Sequence, residues 1–136
     1  MSSNVPSSRG LHLALWVVQG LLAFAFLGAG VMKMTTPVAE LAANMGWVNT
    51  TPEPLVRFIG AAEFAGALGL ILPSALRIKP MLTPIAAALL VVVMILAAGK
   101  HVMIGEAPMV VAPLVLGGLC AFVAWGRGVK APIASR

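Results

Sequence analysis

Four apolar segments, at about 11–32, 55–73, 81–99 and 108–125, take up most of this 136-residue chain. As α-helices each would be about 27–33 Å long, matching a hydrocarbon core of ~30 Å. Apart from Arg57 near the start of the second, none is interrupted by Lys, Arg or Asp. In lipid every backbone N–H and C=O needs an internal partner, so segments of this length and polarity form helices. The pattern predicts an all-α polytopic membrane protein: a four-transmembrane-helix antiparallel bundle in one domain over residues 11–127. Residues 1–10 and 128–136 are predicted to be short tails.

The charge pattern supports this. Charged residues make up 10% of the chain, against ~25% in ordinary soluble domains. The formal net charge is +5, but the basic residues sit at the ends of apolar segments rather than in a patch. That is membrane anchoring, and it excludes a nucleic-acid partner. The first segment is too long for a signal-peptide core, carries only Arg9 ahead of it and precedes three more spans, so it is predicted to stay as a helix.

Proline marks the helix ends. Pro54 and Pro80 stand at helix starts, where a missing N–H is harmless, and Pro73 is predicted to close the second span. Pro113 lies deeper in the fourth span, where a kink opening a pocket is predicted. Between the first two spans, Pro37 to Trp47 has helical spacing and a mixed face, predicting a short interfacial helix over the outer mouth of the bundle. With four spans both termini lie on one side. Arg9, Arg77, Lys79, Arg127, Lys130 and Arg136 fall there, against Lys33, Arg57 and Lys100 on the other. The excess predicts an inner (cytoplasmic) membrane protein with both termini cytoplasmic.

Glu63 is the residue on which a functional reading turns. It is the only charged residue between Arg57 and Arg77. A carboxyl near the centre of a spanning helix costs at least ~2.5 kcal/mol. It persists where a partner helix, a proton path, a ligand or a water-filled cavity faces it. Gly60, Gly66 and Ala67 share its face, so that face is predicted to pack inward. Gln19 is placed at a depth only about 6 Å from Glu63, which predicts a Gln19–Glu63 hydrogen bond. Lys33, Arg57, Lys100, His101 and Glu106 are predicted to ring the outer mouth. Snorkelling to headgroups accounts for Arg57 and Lys100. His101 near Glu106 either shuttles a proton or caps the third span.

Several chemistries lack their residues. His12 and His101 belong to opposite ends of the bundle, so bis-histidine haem ligation is disfavoured. No zinc spacing, P-loop, dinucleotide fingerprint or nucleophile elbow is present, and no metal site is predicted. The single Cys120 excludes an intramolecular disulfide and an intrinsic dithiol mechanism.

Leu27-Gly-Ala-Gly-Val-Met-Lys33-Met, Pro37-Val-Ala-Glu-Leu, Met45-Gly-Trp-Val and Phe58-Ile-Gly-Ala-Ala-Glu63-Phe-Ala-Gly-Ala-Leu-Gly-Leu-Ile-Leu-Pro73 together resemble the DoxX-like family. So do Arg77-Ile-Lys-Pro-Met-Leu-Thr-Pro84 and the segment from His101 to Gly105-Glu106. The resemblance extends over about 11–127. It implies a four-helix membrane bundle, with Glu63, Lys33 and His101 at positions typical of the family. Relatives are linked to quinone-coupled oxidation of sulfur compounds or to membrane redox complexes, and a distant animal branch assists receptor assembly.

Two functions are therefore expected of this chain. One is an accessory or binding subunit, not catalytic alone, that holds a quinone-like or lipid-like molecule against Glu63, Lys33, His101 and Gln19. A redox partner protein would supply the cofactor. The other is a structural or assembly factor, alone or as a homo-oligomer, in which Glu63 serves helix packing. One acid and four short spans leave little room for a transporter.

Overall fold

The computed structural model describes residues 4–136, with side chains from Arg9 onward. Residues 1–3, part of the expected N-terminal tail, lie outside the described residues. Helix α1 (Asn4–Thr35) starts earlier than the segment boundary at 11 and ends later than 32. Helix α2 (Val38–Asn44) and a 3-10 turn (Gly46–Thr50) fill the connection between the first two spans, where the sequence predicts a short interfacial helix. Helices α3 (Glu53–Leu76), α4 (Leu82–Met103) and α5 (Val111–Trp125) complete the bundle, and a single π-type turn (Gly126–Lys130) extends α5. Among the described residues four helices are long and apolar enough to cross a membrane, making the chain an integral multi-pass membrane protein.

Each long helix buries one narrow stripe. On α1 it is Leu15, Gln19, Leu22, Phe26 and Gly30, and on α3 Val56, Gly60, Glu63, Ala67, Leu70 and Ser74. On α5 it is Pro113, Gly117, Cys120 and Val123. Spacings of three and four place each set on one face of a 3.6-residue helix. The remaining faces expose Leu, Val, Ile and Phe, as lipid contact requires.

Helices α1 and α3 approach each other backbone to backbone. A Cβ on Gly30 would lie 2.7 Å from the Gly60 carbonyl oxygen and from the Phe64 amide nitrogen. The two backbones touch, which small residues permit and larger ones forbid. Helices α4 and α5 form a second close pair, joined to the first through α3 and α4, while α1 and α5 close the ring.

Two prolines act differently from their predicted roles. Pro73 does not close α3, which continues to Leu76. Its missing N–H leaves the Gly69 carbonyl without its helical donor. The Thr83 hydroxyl from α4 donates to that carbonyl at 2.9 Å and accepts from the Ser74 hydroxyl at 2.8 Å. The proline is tolerated because a neighbouring helix supplies the donor. Pro113 makes no mid-helix kink. A 3-10 turn (Ala107–Val110) precedes α5, so Pro113 falls in the first α-helical turn, where no donor is lost.

At the other end, the C-terminal residues fold back on α3. The Arg136 amide donates to the Arg77 carbonyl at 2.9 Å, and its Nε donates to the Leu76 carbonyl at 2.8 Å. Arg77 Nε in turn donates to the Ala134 carbonyl at 3.0 Å. These bonds satisfy carbonyls that a helix C-terminus leaves open.

Candidate functional site

Glu63 faces Lys33. The antiparallel register set by Gly30 and Gly60 brings the last turn of α1 beside the N-terminal half of α3. Gly60 has no side chain, and a Cβ there would lie 2.8 Å from the Lys33 Cβ. The lysine stem passes over this gap, and its ammonium lies 2.7 Å from Glu63 Oε1. The pair is enclosed, with side-chain exposures of 13% for Lys33 and 2% for Glu63. Above it the ammonium lies 5.5 Å from the centre of the Trp47 ring, which adds a cation–π contact.

Arg57 does not snorkel. Its guanidinium donates to the carbonyls of Lys33 at 2.9 Å and Thr36 at 2.6 Å, and to Glu53 Oε2 at 3.3 Å. It caps the C-terminus of α1, where a cation also meets the negative end of the helix dipole. This fixes the turn that carries Lys33.

A cavity of about 620 Å³ opens beside the ion pair, within the ~300–1,000 Å³ range of small-molecule sites. Phe26 and Ala29 of α1, Ile59 and Ala62 of α3, Met94 and Ala97 of α4, and Pro113 and Leu116 of α5 form apolar walls. Leu55, Phe58 and Leu96, which also line it, are exposed on the outer surface of the bundle. The cavity therefore opens sideways between α3 and α4, toward the face the bundle turns to lipid.

The end nearest the α1–α3 connection is polar. Lys33, Glu63, Lys100 and His101 all line it. His101 Nδ1 is 3.0 Å from Glu106 Oε1, so with the carboxylate accepting, Nδ1 carries the proton. Gly46 lies against the same carboxylate, and a Cβ there would collide with it. Lys100 Nζ donates to the Thr50 carbonyl at 3.4 Å. Through Trp47, Thr50 and Gly46 the α1–α3 connection rests on the cavity's polar rim.

Gln19 belongs elsewhere. Its amide donates to the Leu70 carbonyl at 2.6 Å and accepts from Arg127 Nε at 2.7 Å, so the predicted Gln19–Glu63 bond is absent. The reason is register. Gln19 packs against Leu70, and Leu70 is seven residues, about two turns, beyond Glu63 along α3.

Arg127 anchors this second cluster, although its position at the end of a span suits a flanking charge. It is 2% exposed. Beyond Gln19 it contacts His12 Nδ1 at 2.9 Å, donates to the Ala131 carbonyl at 2.8 Å and lies 5.4 Å from the centre of the Trp16 ring. Its place on the widened π-type turn directs it into the bundle instead of to the flank. The signal available was its setting, Gly126-Arg127-Gly128, since an anchoring arginine needs no flanking glycines.

Among the described residues no group of three His, Cys, Asp or Glu side chains comes together as a metal site. Cys120 is buried within the stripe of α5.

A family model described as the DoxX-like family matches residues 17–123. No curated protein and no solved structure matches the chain.

Proposed function

The chain belongs to the DoxX-like family, and from that premise we propose that it is a membrane-embedded binding subunit for a hydrophobic molecule with a polar end. The observation that carries this reading is a closed Lys33–Glu63 ion pair on the wall of a largely apolar 620 Å³ cavity open toward lipid. A quinone-like or lipid-like molecule suits that shape. Its apolar body enters between α3 and α4, and its polar end lies at the rim lined by Lys33, Glu63, Lys100 and His101. A desolvated ion pair beside apolar walls gives orientation as well as affinity. The chain contributes binding, and a redox partner protein in the same membrane contributes the cofactor. Both termini face the cytoplasm in this reading, which puts the cavity in the outer half of the inner membrane.

The second reading, an assembly or packing role alone or in a homo-oligomer, draws on the same ion pair. Lys33 and Glu63 tie α1 to α3 and leave no buried side-chain polar atom unpaired among the described residues.

Mass spectrometry of organic extracts separates the two. Protein purified in mild detergent should carry one hydrophobic molecule in near-stoichiometric amount, depleted in a folded Leu96→Trp variant that narrows the cavity mouth. Bulk lipid alone in both samples would leave the packing role.

A further inference from the structure

The polar rim of the cavity is unequally charged. Its lining holds two ammonium groups, Lys33 and Lys100, with one carboxylate, Glu63, and one imidazole, His101. Lys33 is matched by Glu63 at 2.7 Å. Arg57 is matched by Glu53 and by two carbonyls. Glu106 stands behind His101 on its Nδ1 and does not line the cavity. Lys100 therefore has no carboxylate within ion-pair distance among the described residues, and its one hydrogen bond is the long one to Thr50. His101 is beside it in sequence, and its Nε2 makes no hydrogen bond among the described residues.

A cation spare in this way, at the polar end of an apolar cavity, selects a ligand by charge. We propose that the cavity takes a single-chain amphiphile with an anionic head, a long-chain carboxylate. Its hydrocarbon chain lies along Ile59, Ala62, Leu96 and Ala97, and its carboxylate sits on Lys100 Nζ. Lys33 does not serve this purpose, because drawing it away would leave Glu63 buried and unpaired. Charge-assisted bonds are stronger than neutral ones. This inference rests on the cavity being a ligand site, and it adds the ligand's charge and the residue that reads it.

The test is equilibrium binding of radiolabelled hexadecanoate and hexadecanol to the protein in phosphatidylcholine nanodiscs, with empty discs subtracted. The acid should bind about tenfold more tightly than the alcohol, as one charge-assisted bond implies. Lys100→Gln should abolish that preference, and Lys100→Arg should restore most of it. Equal binding of acid and alcohol would overturn the charge inference and leave the cavity reading intact. Binding of neither would overturn both. Failure of excess hexadecanoate to displace a labelled anionic phospholipid that does bind would overturn the single-chain assignment in favour of membrane lipid.

Discussion

Lys33, in the last turn of α1, reaches across Gly60 to place its ammonium 2.7 Å from Glu63 of α3, with the carboxylate almost wholly buried. This contact joins the α1–α3 pair to the wall of the cavity. It follows from small residues that let two backbones meet and from the lysine at the helix end that spans the gap.

Removing one partner strands the other charge in a low-dielectric site. Lys33→Met or Glu63→Leu alone should each destabilise the fold by about 3–5 kcal/mol. The double variant should lose much less than the sum, because a neutral pair leaves nothing unpaired. A double-mutant cycle on chemical unfolding in detergent checks this. Additive losses would show that the pair is not coupled.

Gly30 and Gly28 offer a matched comparison on one helix. A Cβ at Gly30 meets three backbone atoms of α3, while a Cβ at Gly28 meets nothing within 4 Å. Gly30→Ala should cost about 1–3 kcal/mol through overpacking against an immovable backbone. Gly28→Ala should be neutral or slightly stabilising, since alanine is the better helix former. Thermal unfolding of the two variants side by side reads the difference.

Pro73 and Thr83 form a compensated pair. Thr83→Val should cost about 1–3 kcal/mol by leaving the partly buried Gly69 carbonyl without a donor. Pro73→Ala restores a backbone N–H for that carbonyl. The combined variant should therefore be more stable than Thr83→Val alone, measured by chemical unfolding in the same detergent.

Arg127 should be structural. Arg127→Ala removes the donors that satisfy Gln19 Oε1 and the Ala131 carbonyl, with an expected loss of about 2–4 kcal/mol. Lysine keeps the charge but not the planar fork, so Arg127→Lys should recover only part of it. Because this cluster lies at the opposite end of the bundle, any folded fraction should bind cavity ligands with wild-type affinity.

Much of the fold could be read in the chain because helices in lipid leave few alternatives. The four spans and the short helix between the first two lie where the hydrophobic pattern puts them, although Pro73 and Pro113 do not act as their positions suggest. The inward face of Glu63 was readable from Gly60 and Ala67, since those spacings are local. Its partner was not. Pairing Glu63 with Gln19 assumed depths counted from approximate helix midpoints, whereas the contact of Gly30 with Gly60 sets the register and puts Lys33 there instead. Arg57 and Arg127 were read as flanking charges because their positions near span ends suit headgroups. One caps α1 and the other turns inward, and both outcomes depend on the tertiary placement of neighbouring helices. The lateral opening between α3 and α4 arises from how the helix pairs sit together, and no single segment encodes it.

Native mass spectrometry of the protein released from mild detergent tests the central claim most directly. The account predicts a single adduct of one small hydrophobic molecule per chain on the wild type, retained in Arg127→Lys and lost when Ala97→Phe fills the cavity without lowering the unfolding temperature. An adduct of the same mass and occupancy on the Ala97→Phe protein, or none on the wild type after reconstitution with native lipid extract, would contradict it.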